Sequence, residues 1–345
     1  MTQQFHIENT VLIGTEGPHL SERDRAHLAH PATGGVVLFT RNFQSPEQIS
    51  KLVADMRDAS DRELLITVDH EGGRVQRFQK GFTRLPALAV LGKIYVDYPE
   101  RAVDLAYRHG RVMATELLLC GIDMSFAPVL DLDRESCVIG DRAFARDPAA
   151  VCALGGHYLA GMHDAGMKTC GKHFPGHGSV EADSHVADVC DKRPLADIES
   201  LDLRPFRELL PQLDSVMMAH VVYPAVDERP AGYADTWIRQ HLRQGLNYRG
   251  VVFSDDLGMH AAAFAGTLFE RMRLSLEAGC DAVLVCKPGD VEALYSALPA
   301  TGQAVANPLA KLRGHNPHTE QELASVGEWR HWQQSLKNLE KSQWA

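Results

Sequence analysis

A chain of 345 residues is long enough for one large α/β domain or two modest ones. Its 45% apolar and 23% charged residues are ordinary for a globular protein, so a packed core is expected. A net charge of −10 argues against a nucleic-acid surface, which needs clustered Lys and Arg, and favours a neutral or weakly charged small molecule as the partner.

The opening residues, Met1 to His6, lack a basic stretch followed by an apolar run, so no secretory leader is expected. No run of about 18 uninterrupted apolar residues is present, so no membrane span is expected either. Cys120, Cys137, Cys152, Cys170, Cys190, Cys280 and Cys286 form no Cys-x-x-Cys pair. An odd, unpatterned set suggests reduced thiols in a reducing compartment, hence a cytoplasmic protein. A monomer is expected.

Short apolar runs bounded by Gly or polar residues then recur, with helical patterns between them. In chain order they are Val11–Ile13, Val36–Phe39, Leu64–Val68, Met124–Leu130, Met167–Cys170, Val216–Ala219, Val251–Phe253 and Ala282–Cys286. Such runs suit strands buried on both faces of a parallel sheet. A helix over Pro46–Ala59 follows Ser45, an N-cap with proline at the first helical position. Glu100–Leu119 has helical spacing, and Pro148–Ala165 repeats the cap-then-proline start after Asp147. Helices over Asp197–Leu210, Ala234–Arg243, Met259–Ala278 and Val291–Leu298 complete the alternation.

Eight such units predict an α/β fold, a (β/α)8 TIM barrel in a single domain over residues 1–300. Residues 301–345 read as a C-terminal helical tail packed on the barrel through Trp329, Trp332, Leu336 and Leu339. The rival is a doubly wound open sheet. No Gly-x-Gly-x-x-Gly follows the first strand, which counts against a dinucleotide fold.

Barrel chemistry sits where strands end and βα loops begin. Asp69-His70-Glu71 follows the third run, Asp131 and Asp133 the fourth, with Asp141-Arg142 further on. Lys172-His173 follows the fifth, then His177, Asp183 and His185; His220 follows the sixth, and Ser254-Asp255-Asp256 the seventh. Taken singly, several have plain structural readings. Asp69 could cap a helix, Arg142 could pair with Asp141 on the surface, and His220 could be a core histidine. His173 and His177 are four apart, as helical zinc ligands are, but Pro175-Gly176 between them breaks a helix and the spacing loses that meaning. No metal is expected. Asp183 and His185 fit an acid/base dyad, in which the carboxylate orients the imidazole, or an incidental surface pair.

Three blocks resemble the N-acetylglucosaminidase branch of family 3 glycoside hydrolases. They are Lys172-His173-Phe174-Pro175-Gly176-His177-Gly178 with Asp183-Ser184-His185, Gly250 to Leu257, and Asp69 to Arg77. The resemblance spans about residues 10–300, and within the family it is strongest to bacterial cytoplasmic enzymes of cell-wall recycling. It implies retaining hydrolysis of terminal β-linked N-acetylglucosamine from 1,6-anhydro-N-acetylmuramic acid muropeptides, without a cofactor. By position it implies Asp255 as nucleophile, His185 as acid/base and Asp183 as its partner. Asp69, Arg77, Arg142, Lys172 and His173 match residues that grip the sugar. The residues themselves do not choose between Asp255 and Asp256; the family pattern does. His241 and Gly245 depart from that pattern and put the packing of their helix in question. Gly176 and Gly178 suggest a loop free to carry His185 to the sugar. Phosphorolysis is the near alternative, because histidine does not repel an incoming phosphate. A metal-dependent barrel hydrolase and a silent sugar-binding protein are the distant ones.

Overall fold

Strand and helix alternate from the first element of the computed structural model, which describes residues 6–180, 189–299, 307–315, 317 and 327–341. Asp183 and His185 lie outside the described residues. Strand β1 (Val11–Ile13) is followed by α1 (Glu22–Ala29), β2 (Thr33–Leu38), α2 (Pro46–Asp58) and β3 (Leu65–Val68). A short hairpin, β4 (His70–Gly72) and β5 (Val75–Gln76), stands between β3 and the paired helices α3 (Leu88–Asp97) and α4 (Pro99–Leu119). Then come β6 (Met124–Ser125), α5 (Pro148–Asp164), β7 (Cys170–Phe174), α6 (Leu195–Ser200), α7 (Leu203–Leu209) and β8 (Ser215–Met218). A second hairpin, β9 (Val222–Tyr223) and β10 (Asp227–Pro230), precedes a π-helix over Thr236–Gly245. The chain continues through β11 (Val251–Asp256), α8 (Leu268–Ala278), β12 (Ala282–Val285), α9 (Pro288–Tyr295) and α10 (Gly327–Lys341).

The helix starts are those the cap residues predict. Ser45 accepts from the Gln48 amide and Asp147 from the Ala149 amide, each with proline next, so orphan N–H groups are satisfied locally. The barrel sheet runs β6-β3-β2-β1-β12-β11-β8-β7, all parallel. Beyond the two residues of β6, the chain closes the ring through a bridge of Val129 to Lys172. The Cys170 amide donates to Ala127 O and the Leu130 amide to Lys172 O across this seam. The expected strand over Met124–Leu130 is therefore regular only at its start, and the expected fifth strand begins later and runs to Phe174.

Strand residues sort into two layers by parity. Leu12, Val37, Leu65, Cys170, Met217, Phe253 and Leu284 form the barrel interior, joined from below by Leu309 and Leu312. Val11, Val36, Ile66, Val216, Val252 and Val283 face outward into the core shared with the helices. Gly14 follows β1 where an added Cβ would lie 2.0 Å from Cys286 O, so only glycine lets the β1–β12 seam close there. The π-helix buries Trp237, Ile238 and Leu242, and the His241 ring packs 4.8 Å from Trp237, so the two departures leave this helix packed.

The predicted helix over Asp197–Leu210 is two helices. Asp202 stands at the break, its buried carboxylate 2.8 Å from Arg193 Nη1 and accepting from Ser179 Oγ at 3.2 Å, and Pro205 follows. Helix α10 packs on α4 through Trp332, whose ring lies 6.3 Å from Tyr107, and through a Gln333 bond to Glu116 at 2.8 Å.

Candidate active site

Inward parity carries polar residues to the carboxyl end of three strands. Asp69 follows Leu65 and Thr67, Lys172 follows Cys170, and Asp255 follows Phe253, each by steps of two. With Arg77, Arg142 and His173 they line one cavity of about 410 Å³, whose walls include Val37, Met217 and Leu284. The structure thus brings together six of the eight predicted site residues. Lys172 and His173 belong to β7 itself, and Asp255 to β11, rather than to the loops after them.

The centre of the site is ionic. Lys172 Nζ lies 2.7 Å from Asp69 Oδ1 and 2.6 Å from Glu71 Oε1. Arg142 holds Glu71 in a fork, with Nε and Nη2 both donating at 2.8 Å. Arg77 Nη2 reaches Asp69 Oδ2 at 3.4 Å. Asp69 is therefore no helix cap, and Arg142 is no partner of Asp141, which Arg74 holds at 2.8 Å instead. Burial by itself would raise the carboxylate pKa values. For Asp69, Lys172 and then Arg77 outweigh it and hold the carboxyl well below its usual range. For Glu71, Arg142 and then Lys172 do the same, down to about 2. Burial likewise opposes the charge on Lys172, but Asp69 and Glu71 overcome it and raise its pKa.

Glu71 was not among the predicted site residues, although its position in Asp69-His70-Glu71 was visible. Only 2% of its side chain is exposed, so it reaches the cavity through Lys172 and Arg142. Replacing it takes the carboxylate partner from buried Arg142 and leaves Lys172 with Asp69 alone, and breaking a buried pair typically costs about 3–5 kcal/mol. Glu71→Gln is therefore expected to lower the unfolding free energy by about that amount at neutral pH. Since the folded-state pKa is depressed, the unfolded chain takes up the proton first as pH falls. The contribution is complete above the ordinary glutamate value of 4.5 and fades as pH drops toward about 2. Denaturant titrations at several pH values should show the gap between the two proteins shrinking across that window; a constant gap would contradict this account.

Asp131 is the second residue beyond the predicted set. It is buried and accepts from His173 Nδ1 at 2.7 Å and from the His177 amide at 2.7 Å, and so sets the orientation of the His173 ring. Burial, then the neighbouring His173, lowers the His177 pKa to about 4, so His177 is neutral at ordinary pH. The loop after β7 is held down at its start. Glu135 and Ser136 amides donate to Gly178 O at 2.9 and 3.0 Å, and Tyr223 Oη donates to Gly176 O at 2.6 Å. These bonds tie both glycines to neighbouring segments. His220 is 1% exposed and stacks on Tyr233 at 5.4 Å, a core position, with burial lowering its pKa against the opposing charge of Asp255.

The two adjacent carboxylates of β11 differ in surroundings. Asp256 Oδ1 accepts from the amides of Gly258 at 3.0 Å and Cys286 at 3.1 Å, which binds it into the backbone of the β11–β12 seam. Asp255 Oδ1 accepts from the Asp256 amide at 2.8 Å. Among the described residues, no three His, Cys, Asp or Glu side chains are grouped to hold a metal ion.

Residues 5–312 match the model of the glycosyl hydrolase family 3 N terminal domain. A beta-hexosaminidase of Thiobacillus denitrificans is 50% identical over 312 residues, 89% of this chain and 87% of its own. NagZ from Neisseria gonorrhoeae superposes with a TM-score of 0.88 at 44% identity, covering 97% of this chain and 98% of that one. The same Neisseria protein in complex with N-trifluoroacetyl-D-glucosamine superposes equally well, at 0.88 and 43% identity over 97% and 99% of the two chains. The barrel, its polar carboxyl end and these matches agree, and the chain belongs to glycosyl hydrolase family 3 as a glycoside hydrolase.

Proposed function

We propose that this protein is a retaining β-N-acetylglucosaminidase that releases terminal N-acetylglucosamine from 1,6-anhydro-N-acetylmuramic acid muropeptides in cell-wall recycling, in the cytoplasm. One observation carries the reading: Asp255 opens onto a cavity that Asp69, Arg77, Arg142, Lys172 and His173 also line, together with Arg74 and Asp256. A sugar is neutral and rich in hydroxyls, and charged donors and acceptors bind hydroxyls by strong hydrogen bonds. The N-acetylglucosamine analogue bound by the Neisseria relative supports the same choice.

Asp255 would attack the anomeric carbon and form an ester as the bond to the departing oxygen breaks. His185, as imidazolium oriented by Asp183, would give its proton to that oxygen. Neutral His185 would then take a proton from water as the water oxygen attacks the anomeric carbon and the ester breaks. Two inversions leave the β configuration unchanged. Most retaining enzymes use a second carboxylic acid where histidine is proposed here.

The test is turnover of a chromogenic β-N-acetylglucosaminide with the whole protein. Release of the chromophore with free N-acetylglucosamine as product is expected, unchanged after dialysis against a chelator. Sugar 1-phosphate appearing with added phosphate would move the assignment to phosphorolysis. Loss of activity on chelation that a metal restores would replace the mechanism.

A further inference from the structure

Strand β11 has a second feature at its other end. A cleft of about 420 Å³ opens beside Val251, its first residue. At about 3.3 Å per residue, the length of the strand places this cleft some 16 Å from Asp256. The two cavities share no lining residue.

Four cations line this cleft, Arg239, Arg243, Arg249 and Lys311, against one carboxylate, Asp281. That carboxylate is already engaged, with Arg243 Nη2 at 2.6 Å from Asp281 Oδ2. The other three cations bond neutral groups. Arg239 donates to Glu277 O at 2.9 Å, Arg249 to Asn247 Oδ1 at 2.8 Å, and Lys311 to Arg249 O at 3.4 Å. Among the described residues none of the three is in a salt bridge. Like charges around one concavity repel each other, and in a chain of net charge −10 carboxylates are plentiful enough to pair them. Their gathering here without acids leaves a surplus of three positive charges facing one cleft. Next to it, Arg249, Tyr248 and Gly250 also line a second cleft of about 640 Å³, which adds Arg207 and the apolar Leu210 and Leu213.

We infer that the paired clefts at the amino-terminal end of β11 form a second binding site, for a soluble small molecule carrying a phosphate or pyrophosphate group. Guanidinium groups match phosphate oxygens by paired N–H donors, which suits Arg239 and Arg249 better than lysines would. The concave shape fits a small anion and does not fit the flat face of a bilayer. The neighbouring cleft, with Tyr248 and its leucines, would take an apolar or ring-bearing remainder of the same molecule.

Inorganic pyrophosphate, titrated calorimetrically into the whole protein at low ionic strength, is the probe. One saturable site is expected, weakening as salt is raised. Arg249→Glu and Arg239→Glu should each weaken binding by at least about tenfold while glycosidase turnover stays at the wild-type level. Lys51→Glu, on the outer face of α2, changes the net charge equally and should leave binding unchanged. No saturable binding would overturn the proposal. So would a loss in Lys51→Glu equal to that in Arg249→Glu, which would mean net charge alone matters. Unchanged binding in Arg249→Glu would place the anion elsewhere, and binding to anionic vesicles without binding to pyrophosphate would make this a membrane surface instead.

Discussion

Alanine at position 255 is expected to abolish turnover and leave the fold standing. If Asp255 forms the bond to the anomeric carbon, no other group can take its place, because Asp256 is held by the Gly258 and Cys286 amides. Loss of a residue that forms a covalent intermediate should reduce turnover by more than about 10²-fold. The structural cost is small by comparison. Asp255 is half-buried, and its carboxylate accepts from the neighbouring Asp256 amide, a kind of bond worth about 1 kcal/mol. Thermal melting followed by circular dichroism should be close to wild type, against near-complete loss of activity. A slowed 2-fluoro substrate should leave its label on the peptide at Asp255. Label on Asp256, or residual activity above a few per cent, would overturn the assignment of the nucleophile.

The second large effect concerns His185. If His185 gives its proton to the departing oxygen, His185→Ala should cost most on substrates with poor leaving groups, such as a sugar aglycone. General acid/base help is typically worth about 10² to 10⁴ in rate. A phenolate needs little protonation, so its first step should suffer far less. Its second step should still slow, since nothing remains to activate water, and azide, which needs no base, should restore turnover. Asp183→Ala should act in the same direction and more mildly, because the imidazole survives without its orienting partner. A series of aryl glycosides tests this directly. Equal losses across all leaving groups would contradict acid catalysis by His185.

Much of this architecture was legible because it follows from short-range rules. Cap-then-proline at Ser45-Pro46 and Asp147-Pro148 marks two helix starts within a residue. Buried parallel strands read as apolar runs, and all eight strands of the ring overlap the runs that predict them. The failures share a cause. Strand β7 was expected to stop at Cys170 because Gly171, Lys172 and His173 look like a loop, yet Gly171 pairs with Val216, Lys172 with Met217 and, past an irregularity at His173, Phe174 with Met218 of β8. A strand that turns polar where it reaches the barrel mouth breaks the apolar pattern at the place where the site begins. Helix α3 went unseen because its N-cap is Ala87, which offers no side-chain bond. Glu71 and Asp131 act on the cavity through other residues, and sequence alone gives no measure of which carboxylate is caught between which cations.

The β1–β12 seam has a consequence for biosynthesis. Val11 pairs with Val283 and Ile13 with Val285, so strands from opposite ends of the domain must meet before the ring is complete. Until Ala282–Val285 has left the ribosome, β1 and β11 each keep an unpaired edge. Long-range parallel pairings of this kind form late and slowly. A nascent chain stopped between residues 257 and 281 would carry most of the barrel with two open sheet edges, a template for joining to other chains. Truncated products ending in that window should therefore partition into insoluble material, while chains ending beyond Leu312, which also supply the Leu309 and Leu312 plug, should be recovered in solution.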